Sequence, residues 1–196
     1  AFAVADARTI RYGLGAVKGV GRSAVDAIVE ERSVRGPFAS LNELCRRLDL
    51  ARVNRRALEA LVRSGSLDSL GANRATLMGG LAAAMQGGEQ AARTQEAGQV
   101  DLFGVAACAA AMPAAPNAPE PPTLPEWSVS QRLAGERETL GLFLTGHPIA
   151  AYEADLRQFA SGRIVEFLGD RPGAVPEGRN PYAQMRTVTL AGLVLE

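Results

Sequence analysis

Gly15-Ala16-Val17-Lys18-Gly19-Val20-Gly21-Arg22-Ser23 is the stretch that decides the fold of this 196-residue chain. Glycines at i and i+2 let a backbone turn with positive φ and come close to a ligand. The residues that follow, Ser23–Arg32, place Val25, Ile28 and Val29 at helical spacing. A glycine turn that opens a helix leaves free N–H groups at the positive end of the helix dipole, and that is an anion site. Val17 and Val20 are expected to face inward and pin the turn to its helices. Lys18, the only lysine of the chain, stands in the turn, and Arg22 follows at the helix start.

A plain helix–helix connection that happens to use glycine would look similar. A second unit argues for more. Gly36-Pro37 ends the first helix. Ser40 with Glu43 three residues on forms a capping box for Leu41–Leu48, which buries Leu41, Leu44, Cys45 and Leu48. Asp49–Asn54 is a turn. Asn54 caps a helix over Arg55–Ser64 with Leu58, Leu61 and Val62 on one face, and Gly65 ends it. The pattern predicts a mainly α chain with a tandem helix-hairpin-helix domain over residues 1–80, the second hairpin degraded. Such units grip the DNA backbone without reading bases. Lys18, Gly19, Val20, Gly21, Arg22 and Ser23 are the candidate DNA contacts of the first turn. Arg52, Arg55 and Arg56 of the second either reach phosphate through their side chains or form a solvated face.

Asn73 caps a helix from about residue 74 to 97, which Gly79-Gly80 and Gly87-Gly88 are expected to weaken. Its part over 81–98 reads as a helical extension. Residues 105–125 hold six prolines and a run of alanines, the composition of an extended linker. A helical segment over 126–160 follows. It contains Ser128–Leu140, anchored by Trp127, Leu133 and Leu140, then the turn Thr145–Pro148 and the short helix Ile149–Phe159. His147, the only histidine, reads as a residue of that turn. Arg186–Leu195 alternates and is rich in β-branched residues, so a β-domain is expected to start within 161–196.

Gln99-Val100-Asp101-Leu102-Phe103, with Gly98 before and Gly104 after, reads as a displayed docking peptide over 99–104. Leu102 and Phe103 would fill an apolar pocket while Gln99 and Asp101 fix the register, so that few side chains carry most of the energy. The alternative is that Leu102 and Phe103 pack on the helix before them. The adjoining linker favours display.

Composition sets limits. Net charge is zero, yet residues 1–80 carry 13 basic and 8 acidic side chains while 81–196 carry 8 and 13. A basic N-terminal half suits nucleic acid. Cys45 and Cys108 lie far apart without companions at metal spacing, which argues against a disulfide framework or zinc site. No apolar run approaches the roughly 20 residues of a membrane span. A start without Met and an end within an expected strand read as a fragment of a longer chain.

Ile10–Gly21 (IRYGLGAVKGVG), Val53–Gly71 (VNRRALEALVRSGSLDSLG), Gln99–Gly104 (QVDLFG) and Gly135–Pro148 (GERETLGLFLTGHP) together resemble the C-terminal part of the alpha subunit of bacterial DNA polymerase III. The resemblance implies a tandem helix-hairpin-helix domain that holds duplex primer-template DNA. It implies a motif at Gln99, Asp101, Leu102 and Phe103 that docks on the sliding clamp (the beta subunit), and the first strand of an OB-fold in 161–196. It also implies other holoenzyme subunits as partners, a cytoplasmic setting, and template-directed nucleotide transfer with Mg2+ on palm aspartates. No residue of this chain matches those aspartates, so no cofactor and no catalysis are expected in the segment itself. An error-prone translesion sibling and a stand-alone helix-hairpin-helix adaptor are the alternative readings.

Overall fold

The structure, a computed structural model, describes residues 2–96, 123–168 and 187–192. It is mainly helical and divides into two units, residues 1–145 and 146–196.

The first unit opens with an antiparallel hairpin that the sequence did not announce. Strands β1 (Ala3–Asp6) and β2 (Thr9–Arg11) pair with Val4 opposite Ile10. They are too short to show alternation, and both are fully exposed, so no apolar pattern marks them. Asp6 Oδ1 accepts the Arg8 N–H at 2.8 Å and sets the turn. After the hairpin, a single 3-10 turn, Leu14–Ala16, stands where the leading helix of the first unit would be.

Helix α1 (Arg22–Arg35) ends at Gly36, whose φ of 79° is the left-handed region. Helix α2 (Leu41–Arg47) is capped by Ser40, which accepts from the Glu43 amide, while Glu43 Oε2 accepts the Ala39 N–H. Arg47 ties α1 to α2. Its guanidinium donates to Glu31 Oε1 at 2.9 Å, Glu43 Oε1 at 2.9 Å and the Gly36 carbonyl at 2.9 Å, and lies over the Phe38 ring. Helix α3 (Arg55–Arg63) buries Ala57, Leu58, Ala60, Leu61 and Val62. Its partners in the core include Val17, Val20, Leu44, Val53 and Leu81.

Helix α4 (Arg74–Glu96) runs unbroken through both glycine pairs, against the expected weakening. The reason is packing. A Cβ at Gly88 would come within 2.3 Å of the Cys45 carbonyl oxygen, so Gly88 lets α4 lie directly on α2. The buried Leu77, Leu81 and Ala84 make α4 a core element rather than an appendage. Asn73 Oδ1 accepts the Thr76 N–H, and Glu126 accepts the N–H groups of Arg74 and Ala75, so two side chains serve the α4 N-terminus.

Helix α5 (Val129–Leu140) begins with a reciprocal capping box between Ser128 and Gln131 and ends at Gly141 in the left-handed region. It belongs to the same unit as α1 to α4, so the segment expected over 126–160 is divided near residue 145. Buried Glu136 accepts Arg74 Nη1 at 3.0 Å and the amides of Leu144 and Thr145 at 2.7 and 3.0 Å.

In the second unit, the expected helix Ile149–Phe159 is a 3-10 turn, Pro148–Tyr152, followed by helix α6 (Glu153–Phe159). His147 Nδ1 accepts the Ile149 N–H at 3.2 Å and caps that turn, the role its place in Thr145–Pro148 suggested. Helix α7 (Ile164–Leu168) comes next. Of the expected strand Arg186–Leu195, residues 187–192 are described and carry no strand. A strand needs a neighbour to take its alternate backbone groups, and Thr189 instead meets Ser161 through its N–H and its carbonyl.

Candidate nucleic-acid interface

The first turn is built as the glycines required. Gly19 has φ of 89°, while Gly21 is extended and serves as the N-cap of α1. Only one of the two glycines therefore needs the left-handed region. Val17 and Val20 are buried beneath the turn, and the Val20 N–H donates to the Val17 carbonyl at 3.2 Å. Val20 thus holds the turn and has no N–H to offer. The Lys18 amide is also spent, on the Thr139 carbonyl of α5 at 2.8 Å, which leaves its exposed ammonium facing out.

The free donors lie next along the chain. Gly19, Gly21, Arg22 and Ser23 are exposed, and among the described residues their amides have no backbone partner. A glycine N-cap brings no side chain to satisfy them. A row of open amides at the start of a 14-residue helix is an anion cradle.

The second turn shows what was lost. Val53, fully buried, precedes the N-cap Asn54 as Val20 precedes Gly21. Here, however, Asn54 Oδ1 accepts the Ala57 N–H at 3.0 Å. The side chain occupies part of the place an anion would take at Gly21. The Asp49 carboxylate accepts the Ala51 N–H, and its carbonyl accepts from Arg52 and Val53, so this turn closes on itself.

The two turns meet across one groove, lined by Lys18, Gly19, Asn54, Arg56, Glu59, Ala60, Arg63, Glu138 and Thr139. Of the three arginines singled out in the sequence, Arg56 lines this groove and has no carboxylate partner among the described residues. Arg52 pairs with Glu30 at 3.3 Å and Arg55 with Glu59 at 2.8 Å. Arg22, almost fully exposed, is 3.8 Å from Asp26. Such exposed pairs contribute little and yield readily to a stronger anion. Sequence reading passed over Arg63 and Glu138, a pair at 2.9 Å on the groove wall. The signal was distributed: 75 residues separate them, and only the docking of α5 brings them together.

Gln99, Asp101, Leu102 and Phe103 lie outside the described residues. Among the described residues no group of three His, Cys, Asp or Glu side chains is placed to hold a metal, and no helix is long and apolar enough to cross a membrane.

Comparison with known proteins agrees with this geometry. Residues 1–77 match the family described as helix-hairpin-helix motif. Over 99% of its length the chain is 45% identical to DNA polymerase III subunit alpha of Pseudomonas aeruginosa, 40% to that of Xylella fastidiosa and 39% to that of Escherichia coli K12. It spans about 16% of the length of these relatives. The chain is thus a homologue of a segment of DNA polymerase III subunit alpha, with a helix-hairpin-helix motif at its N-terminal end.

Proposed function

We propose that this chain is the DNA-gripping and clamp-docking segment of a replicative polymerase alpha subunit. The observation that carries the reading is the row of amides at Gly19, Gly21, Arg22 and Ser23, beside Lys18 and Arg56, all without a partner among the described residues. Amides and cations of this kind meet phosphate oxygens, fix the register of the protein on the duplex and carry no base information. The tandem units hold the primer-template duplex non-specifically. Gln99, Asp101, Leu102 and Phe103 tether the polymerase to the sliding clamp, which keeps it on DNA through many additions. The entry to an OB-fold in 161–196 is supported by the resemblance alone.

The whole protein is a DNA-directed DNA polymerase of chromosome replication in the cytoplasm, working with the other holoenzyme subunits. Its nucleotidyl transfer, and the Mg2+ that supports it, belong outside this segment. Three of the aspartates here serve local structure, Asp6 and Asp49 in turns and Asp68 on Arg74, while Asp26 is an exposed helix residue beside Arg22.

The test is duplex binding by the 196-residue chain beside Gly19→Val. Valine is strained at φ of 89° and closes the approach to the amides. Binding that is indifferent to duplex sequence, falls with salt, and weakens at least tenfold in a folded Gly19→Val variant supports the proposal. Unchanged affinity in a folded variant overturns the role of the turn.

A further inference from the structure

We propose that Arg63 is a further phosphate contact of this groove, and that Glu138 moderates DNA affinity by holding Arg63 until phosphate displaces it. This rests on the reading of the groove as a duplex-binding surface.

The groove presents Lys18, Arg56 and Arg63 against two carboxylates, Glu59 and Glu138. Glu59 is engaged by Arg55. Glu138, on α5, faces Arg63, on α3, at 2.9 Å. Both side chains are well exposed, at 42% and 66%. An exposed pair is held weakly, whereas a duplex presents a dense row of phosphates to a guanidinium suited to bidentate contact. The exchange of partners is therefore favourable for Arg63. It is unfavourable for Glu138, whose freed charge then stands on the wall that phosphate approaches.

The pair is not needed to hold α5. A Cβ added at Gly135 would lie only 3.4 Å from the Arg63 carbonyl oxygen, so α5 already packs closely on α3 there; Thr139 receives the Lys18 amide, and Glu136 is buried on Arg74. Losing the Glu138 carboxylate should therefore leave the fold intact. That separates a charge placed to moderate binding from an ordinary surface tie between α3 and α5.

The experiment is titration of a labelled duplex with the whole chain over a range of salt, using wild type, Glu138→Gln, Arg63→Ala, the double variant and Gly19→Val. Glu138→Gln is expected to tighten binding about threefold at low salt with an unchanged thermal midpoint. It should also steepen the salt dependence by up to about 0.9 in log–log slope, the increment of one phosphate contact. Arg63→Ala is expected to weaken binding several-fold, and the double variant to lose the extra slope. Wild-type affinity and slope in Glu138→Gln would overturn the inference, even where Gly19→Val shows the turn to be essential. Tightening in Glu138→Gln with Gly19→Val unaffected would uphold this pair and remove the turn from the interface.

Discussion

Glu136, with no exposed surface, takes Arg74 Nη1 at 3.0 Å on one carboxylate oxygen and the amides of Leu144 and Thr145 on the other. Arg74 is held from the other side by both oxygens of Asp68 at 2.9 and 3.0 Å. This chain of charges fastens the start of α4, the middle of α5 and the end of the first unit to one another. It gives the GERETLG stretch a structural purpose. A buried charge stripped of its partner is costly, so Glu136→Ala is expected to destabilise the first unit by about 3–5 kcal/mol. Urea unfolding of the variant measures this, and a loss below about 1 kcal/mol would show that the network is dispensable.

The same carboxylate makes stability depend on pH. Burial pushes the Glu136 pKa up, but the hydrogen bonds from Thr145, Leu144 and Arg74 outweigh burial and hold it below the usual 4.5. Glu126 is shifted the same way, the N–H groups of Trp127, Arg74 and Ala75 prevailing over its desolvation. A carboxyl whose folded pKa is depressed stabilises fully above its unfolded value and loses that contribution as pH falls through the folded one. Unfolding free energy should therefore be flat in these groups from neutral pH to about 5 and fall below 4.5. Glu136→Gln should flatten part of that acid limb in a pH series of urea titrations.

Two neighbouring glycines in α4 should respond in opposite senses to the same change. A Cβ at Gly87 meets nothing within 4 Å, whereas one at Gly88 would lie 2.3 Å from the Cys45 carbonyl oxygen. Gly87→Ala is expected to stabilise by up to about 1 kcal/mol through helix propensity. Gly88→Ala is expected to destabilise by about 1–3 kcal/mol, because backbone must move apart. Thermal melts of the two variants check the pair, and stabilisation by Gly88→Ala would contradict the packing of α4 on α2.

Leu102→Ala combined with Phe103→Ala is expected to abolish binding to a bacterial sliding clamp and to leave duplex binding unchanged. Surface capture of the chain on immobilised clamp, beside a DNA titration, checks both halves. Parallel loss of DNA binding would contradict the separation of the two functions.

Much of the fold was legible because it rests on local rules. Ser40, Asn54 and Asn73 announce helix starts by the hydrogen bonds that their side chains alone can make there. Gly36 and Gly65 supply the left-handed residues that end or follow helices. Val17 and Val20 were marked as inward by the turn that they flank. The β-hairpin was not legible, since a few exposed residues per strand leave no period to read. Nor was the continuity of α4, since two glycine pairs weaken a helix in isolation and only contact with α2 shows what Gly88 is for.

The sequence by itself determined the helices, the glycine turn and the basic character of its surroundings, because capping, spacing and charge act within a few residues. Tertiary structure decided which groups can meet a ligand. The Lys18 and Val20 amides are consumed by Thr139 and Val17, Arg52 and Arg55 are paired, and Arg56 is left open to the groove. Arg63 and Glu138 reach the same groove across 75 residues of chain, a distance over which no local rule acts and only packing does.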